Sequence, residues 1–187
     1  MKQLLFGLFV IGLLTSCAKK PLTSAERNLL VNPKSFEAYN IFFANADSIG
    51  KYKKVKFVDG GTELEFQFES SKSDSNELFI NNVIAIEANK LEAKVAYAAE
   101  RGALKIINKG GIKFHKLNDL FAYGDDSQFY LLETKDKTPI GNLLQYRKDK
   151  VVYFLVFFGV YFDDKTDWED FILPKLKAID EFVTQPK

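Results

Sequence analysis

The chain has 187 residues with 26 basic and 25 acidic side chains, one histidine, one cysteine and 14% aromatic residues, 18 of them Phe. So even a balance excludes broad electrostatic binding to nucleic acid or anionic lipid, and a lone cysteine excludes an internal disulfide. The length suits a single domain with a substantial, aromatic-rich core.

Met1-Lys2-Gln3 supplies one positive charge, and Leu4 to Leu14 then runs without a polar side chain. As a helix that run spans roughly 16 Å. A bilayer core is about 30 Å thick, so the run is too short to cross it. A basic start, a short apolar stretch and small residues predict a secretory signal. Leu14-Thr15-Ser16-Cys17 resembles the bacterial lipobox. That resemblance implies cleavage before Cys17, a diacylglycerol on its thiol and a further acyl chain, such as palmitate, on the new amine. Two or more chains anchor stably where one binds marginally. The alternative is an ordinary secretory signal followed by a chance cysteine. By the same resemblance Ala18, in place of Asp, implies sorting to the outer membrane. No acidic run follows Cys17, which favours the periplasmic face. Loss of Lys2 with residues 1–16 leaves the basic and acidic side chains in balance. Residues 17–32 are read as the lipidated cysteine, a tether and a short helix, and residues 33–187 as one domain.

Thr23 with Glu26 three residues on predicts a capped short helix ending near Leu30. Asn32-Pro33 suits an N-cap and first helical position. Phe36, Tyr39, Phe42, Phe43, Ala46 and Ile49 then form one apolar stripe, predicting a helix over 33–49 ended by Gly50 and docked on a sheet. Lys34 is the only cation on its polar face, which disfavours a membrane-surface helix. Residues 51–69 predict a hairpin turning at Asp59-Gly60-Gly61. A two-residue loop there places Lys54 and Lys56 on the face of Glu63 and Glu65, opposite Leu64, Phe66 and Phe68. A polar stretch, 70–76, leads to a strand over 77–87 with a bulge expected at Asn81-Asn82. Asn89-x-x-Glu92, five alanines and Gly102 predict a helix over 89–102. Strands are expected at 103–107, 112–116, 120–123, 128–134, 142–147 and 151–162, joined by short turns as an antiparallel meander. The last is continuously apolar and β-branched or aromatic, which predicts a central strand covered on both faces. Thr166-x-x-Glu169 predicts a capping box for a final helix, with Pro174 kinking or dividing it.

Among chemical motifs there is no Gly-x-Ser-x-Gly, His-Glu-x-x-His, phosphate-binding loop or Cys-x-x-Cys. His115 falls in a predicted strand as a surface or edge residue. Asp163, Asp164, Asp167, Glu169 and Asp170 match no calcium-loop spacing and suit a helix N-terminus. No metal or cofactor is therefore expected. The remaining lead is aromatic. Tyr123, Phe129, Tyr130 and Tyr146, with Tyr153 and Tyr161 nearby, are candidates to line a groove between sheet and helix.

These elements predict an α+β fold, an antiparallel sheet of about seven to eight strands with amphipathic helices near both ends. The closing order of long apolar strand, acidic turn and amphipathic helix is similar to the PsbP/MOG1 family, a sheet covered by helices. The leading expectation is a lipid-anchored, non-catalytic envelope protein that binds another protein. A carrier or sensor of a lipid or other hydrophobic ligand is the alternative, and an unrecognised hydrolase the third.

Overall fold

A computed structural model describes residues 18–19, 21–39, 50–70, 78–107, 111–117 and 120–184, with 18–19 and 101–107 given by backbone alone. Its elements are β1 (Ala18–Lys19), α1 (Ser24–Leu29), a 3-10 helix (Pro33–Tyr39), β2 (Lys51–Lys56), β3 (Thr62–Glu69), β4 (Phe79–Ile86), α2 (Lys90–Ile107), β5 (Lys113–Lys116), β6 (Asp126–Glu133), β7 (Pro139–Lys148), β8 (Val151–Phe158) and α3 (Lys165–Thr184). The fold is α+β, with eight antiparallel strands in the order β1-β2-β3-β4-β8-β7-β6-β5. Two four-stranded meanders thus join along a β4–β8 seam, and the chain crosses from one to the other through α2. The signal segment, Cys17 and residues 40–49 lie outside the described residues.

β8 is the hinge of this arrangement. Val151, Tyr153, Leu155 and Phe157 face α1, the 3-10 helix and α3, within one large core that also holds Leu64, Phe66, Ile80, Ile84, Phe129 and Trp168. Val152 and Phe154 alternate to the opposite face, where Val152 meets Ala93 and Tyr97 of α2. Both faces are covered, as the unbroken apolar run requires. The strand stops at Phe158, earlier than expected, because Gly159 turns the chain at φ 95°. Asn142 of β7 secures that turn. Its amide donates to the Phe162 carbonyl at 2.9 Å, and its oxygen accepts the Phe162 N–H at 2.6 Å. Asn142→Ala should cost about 2 kcal/mol, since it strands buried backbone groups. Faster hydrogen exchange confined to residues 159–164 would accompany the loss.

The helix starts follow their capping residues. Thr23 and Glu26 form the reciprocal capping box of α1. Asn32 accepts the Lys34 amide at 3.0 Å and opens a 3-10 turn. Asn89 accepts the amides of Leu91 and Glu92 at 2.9 and 3.0 Å and starts α2. The final helix differs from expectation: Asp164, not Thr166, is its cap, accepting the amides of Thr166 and Asp167. Thr166 lies inside the first turn. Pro174 sits within α3 without dividing it.

Four other expectations are corrected. Strand 103–107 is instead the end of α2, because Ala103-Leu104-Lys105 favour a helix already nucleated before Gly102. Residues 120–123 form no strand, since the chain turns at Gly124 with φ 73°. β4 pairs without interruption through Asn81 and Asn82, so no bulge occurs. Asn82 instead turns into the core and donates to the Val31 carbonyl at 3.2 Å.

The fourth concerns the hairpin. Its loop has three residues, Val58-Asp59-Gly60, with Phe57 N–H bonded to Gly61 O and Gly60 at φ 97°. Lys54 therefore opposes Leu64 and Lys56 opposes Thr62, while Lys53 opposes Glu65. One residue of loop length moved every lysine to the other face, as the period of two demands. Lys54 consequently points toward the helices and forms an ion pair with the buried Glu26 of α1. Burial alone would raise the Glu26 carboxyl, but Lys54 and the Thr23 backbone outweigh it and hold it below the usual range. Lys175 of α3 pins the same helix from its far end, donating to the carbonyls of Asn28 and Leu30 at 2.8 and 3.3 Å. Burial lowers the pKa of that ammonium.

Candidate functional site

A cleft of about 650 Å³ lies between α3 and the turn that leads into β6. Tyr123 and Gly124 form one wall, Tyr146 and Lys148 of β7 the base, and α3 the other wall through Glu169, Asp170, Leu173, Pro174, Lys177 and Asp180. Gly124 is required here. A Cβ on it would lie 2.6 Å from both the Arg147 carbonyl and the Tyr146 ring. Its positive φ lets the turn press against β7. Tyr123 then reaches across the cleft, donating its hydroxyl to Glu169 Oε1 at 2.8 Å. That bond raises the Tyr123 pKa. At the other end Lys148 closes on Asp180.

Pro174 contributes more than shape. It has no N–H, so the Asp170 carbonyl four residues earlier lacks its helical donor. Both residues line the cleft, which places that carbonyl beside the exposed Asp170 carboxylate. Tyr146 is buried, and burial first, then the charges of Asp180, Asp125 and Asp149, push its hydroxyl well above the usual tyrosine range. It stays protonated at every physiological pH. The chemistry available is recognition: tyrosine rings, hydroxyls, carboxylates and apolar contact with Leu173 and Pro174.

The four aromatic candidates separate. Tyr123 and Tyr146 line the cleft. Phe129 lies in the core, stacked on Trp168 at a centroid distance of 4.1 Å. Tyr130, its neighbour, faces the opposite side of the sheet, where it bonds Gln128 and meets Phe114 edge-on. Alternation along a strand puts 129 and 130 on different faces. Tyr153 is fully buried and Tyr161 exposed beyond β8. His115 is exposed on the edge strand β5, opposite Leu131, and does not line the cleft. Of the acidic group, Asp164 caps α3, Glu169 binds Tyr123, and the Asp167 carbonyl accepts the Tyr39 hydroxyl at 3.2 Å. No cluster able to hold a metal ion occurs among the described residues.

Two polar groupings on the other face escaped sequence reasoning. Arg147, buried on β7, donates to Asp126 through Nε and Nη2 at 2.9 and 2.6 Å and to Asp125 through Nη1 at 2.9 Å. Asp125 also accepts the Asp149 amide, and Asp149 pairs with Lys90 at the start of α2. On the α2 side of the sheet, Glu100 of α2 comes near Glu63 of β3 and Glu87, which follows β4. Burial is the first cause of the rise in all three; Glu65 adds to it at Glu63 against the opposing Lys53, Asp59, Glu92 and Glu63 add to it at Glu87, and Glu63 and Glu87 add to it at Glu100. Glu100 is pushed up to about 8, its Oε2 buried and without a hydrogen-bond partner.

A second void lies on the α2 side of the sheet, walled by Ile112, Phe114, Leu132, Leu143, Phe154, Val156 and Phe158. It measures about 30 Å³, room for a methyl group or a single water. No helix among the described residues is long and apolar enough to cross a membrane. No protein-family model, no curated protein and no solved structure matches the chain. Its function must be argued from its own geometry.

Proposed function

We propose that the chain is a bacterial envelope lipoprotein, acylated on Cys17 and held at the outer membrane facing the periplasm, whose domain binds another protein without catalysing a reaction. The observation that carries the binding reading is the cleft beside Tyr123 and Tyr146, set over a filled core. Tyrosine combines apolar area with a polar tip and is favoured where proteins meet. The exposed Asp170 carboxylate supplies acceptors that a polypeptide's N–H groups would satisfy. A carrier of a lipid needs an internal cavity several hundred Å³ in size. The enclosed apolar void of about 30 Å³ is too small for one, and the cleft of about 650 Å³ is open and edged by Glu169, Asp170, Lys177 and Asp180. The lipobox resemblance of Leu14 to Cys17 supports the anchor.

Native mass spectrometry of the anchored protein, extracted gently from its own membranes, tests this reading. A stoichiometric second polypeptide is expected. Tyr123→Ala with Asp170→Arg, both at exposed positions, should weaken that complex by about tenfold or more, roughly 1.4 kcal/mol. A partner that survives both substitutions would move the binding site elsewhere. A small apolar adduct in place of a polypeptide would replace the proposal with a carrier.

A further inference from the structure

The first strand bears on where a membrane would lie. β1 runs antiparallel to β2, with Ala18 opposite Lys56 and Lys19 opposite Val55. Ala18, where β1 begins, therefore lies at the end of the sheet where β2 enters the β2–β3 turn. The register carries that end across the sheet: Lys56 faces Thr62, Thr62 faces Ile86, Ile86 faces Val151, and Val151 faces Lys148. The β7–β8 turn and the start of α2 consequently lie at the same end, tied by the Glu87 amide bonding the Lys150 carbonyl at 2.8 Å.

The three most exposed large apolar side chains among the described residues belong to elements at this end. Val58, at the tip of the β2–β3 turn, is 77% exposed, and Leu91, in the first turn of α2, is 70% exposed. Val95, one turn further, is 63% exposed. Leu91 and Val95 share the outward side of α2, whereas Ala93 and Tyr97 face the sheet. Single exposed apolar residues need no explanation on a soluble surface. Three grouped where the chain leaves toward an acylated residue do.

We infer that this end of the sheet rests on the bilayer that holds the acyl chains, with Val58 and Leu91 entering the boundary between headgroups and hydrocarbon. The inference depends on the lipoprotein reading above. Only a single peptide bond separates Cys17 from β1, so the anchor itself brings the turn to the lipid surface. Apolar side chains at such a surface reach about 5–10 Å into it. Asp59, Glu87 and Asp149 stand at this end beside Lys56, Lys90 and Lys150. The contact is therefore apolar in character and should persist in high salt.

The test uses full-length protein made through the lipoprotein route, with the mass of its amino-terminal fragment reporting the state of Cys17. Val58→Cys, Leu91→Cys and Tyr161→Cys, the last beyond the opposite end of β8, each carry a nitrobenzoxadiazole label. The proteins are placed in vesicles of phosphatidylethanolamine and phosphatidylglycerol, with or without a lipid bearing a nitroxide near its headgroup. Quenching at 58 and 91 should exceed that at 161 several-fold and be unchanged by salt. Equal quenching at all three positions, with acylated Cys17, overturns the docked orientation and leaves the anchor standing. An unmodified Cys17 thiol overturns the lipoprotein reading, and the bilayer contact falls with it.

Discussion

Trp168→Ala should destabilise the domain by about 3–5 kcal/mol, the range for deleting a buried aromatic from a packed core. A domain of this kind has only about 5–15 kcal/mol in total. Trp168 is fully buried, stacked on Phe129 and within 6.0 Å, centroid to centroid, of Phe121, Phe162 and Phe171. No single neighbour can close the space it leaves, because those rings belong to three separate segments of chain. Trp168→Phe keeps an aromatic contact but removes two ring carbons together with Nε1, which has no hydrogen-bond partner. Its cost should fall below that of alanine, at about 1–3 kcal/mol, because the cavity left is smaller. Urea unfolding followed by circular dichroism measures both. An alanine variant within about 1 kcal/mol of the parent would mean that the core can collapse around the site, contrary to this packing.

Glu100→Gln should stabilise the protein at neutral pH and flatten its pH dependence. The folded state pushes the Glu100 carboxyl from 4.5 up to about 8, chiefly by burial and then by the charges of Glu63 and Glu87. Between those two values the folded chain binds a proton that the unfolded chain has released. Stability from this group is therefore greatest at acid pH and falls as pH rises from about 4.5 toward about 8. At pH 7 the loss is about 3 kcal/mol, which glutamine should recover. Glu63 and Glu87 move in the same direction, so some slope will remain. Paired unfolding curves at pH 5 and pH 8 decide the matter. A variant no more stable than the parent at pH 8, with an unchanged slope, would show that Glu100 finds a compensating charge.

The carboxylates beneath α2 also show what local patterns leave unread. Glu63 and Glu65 alternate with apolar residues, which in an antiparallel sheet normally marks a solvated face. Here α2 crosses over that face to link the two meanders and strips water from part of it. Nothing in residues 89–107 specifies that crossing. It follows from β4 pairing with β8, a contact across about 70 residues of sequence. The cleft has a similar origin. Tyr123, Tyr146 and Asp170 meet only because a Gly124 turn presses on β7 and α3 lies over it. Chemistry of residue type suggested two of its tyrosines, but strand parity sent Tyr130 to the opposite face and core packing took Phe129.

What the sequence determined alone is short-range in its physics. Thr23, Asn32 and Asn89 cap helices because a side-chain oxygen satisfies nearby free amides. Val151 to Phe158 forms a buried strand because β-branched and aromatic residues without polar interruption suit no exposed position. The antiparallel α+β class follows from such segments and their short turns. The tertiary structure decided everything that depends on a count or on distant partners. One loop residue in Val58-Asp59-Gly60 reversed the faces of Lys53 and Lys54, and with them the ion pair to Glu26. Strand order, the cleft and the buried carboxylates came from the β4–β8 seam. Local preferences are settled by the few residues that express them, whereas register and long-range pairing are settled by the burial of the whole core.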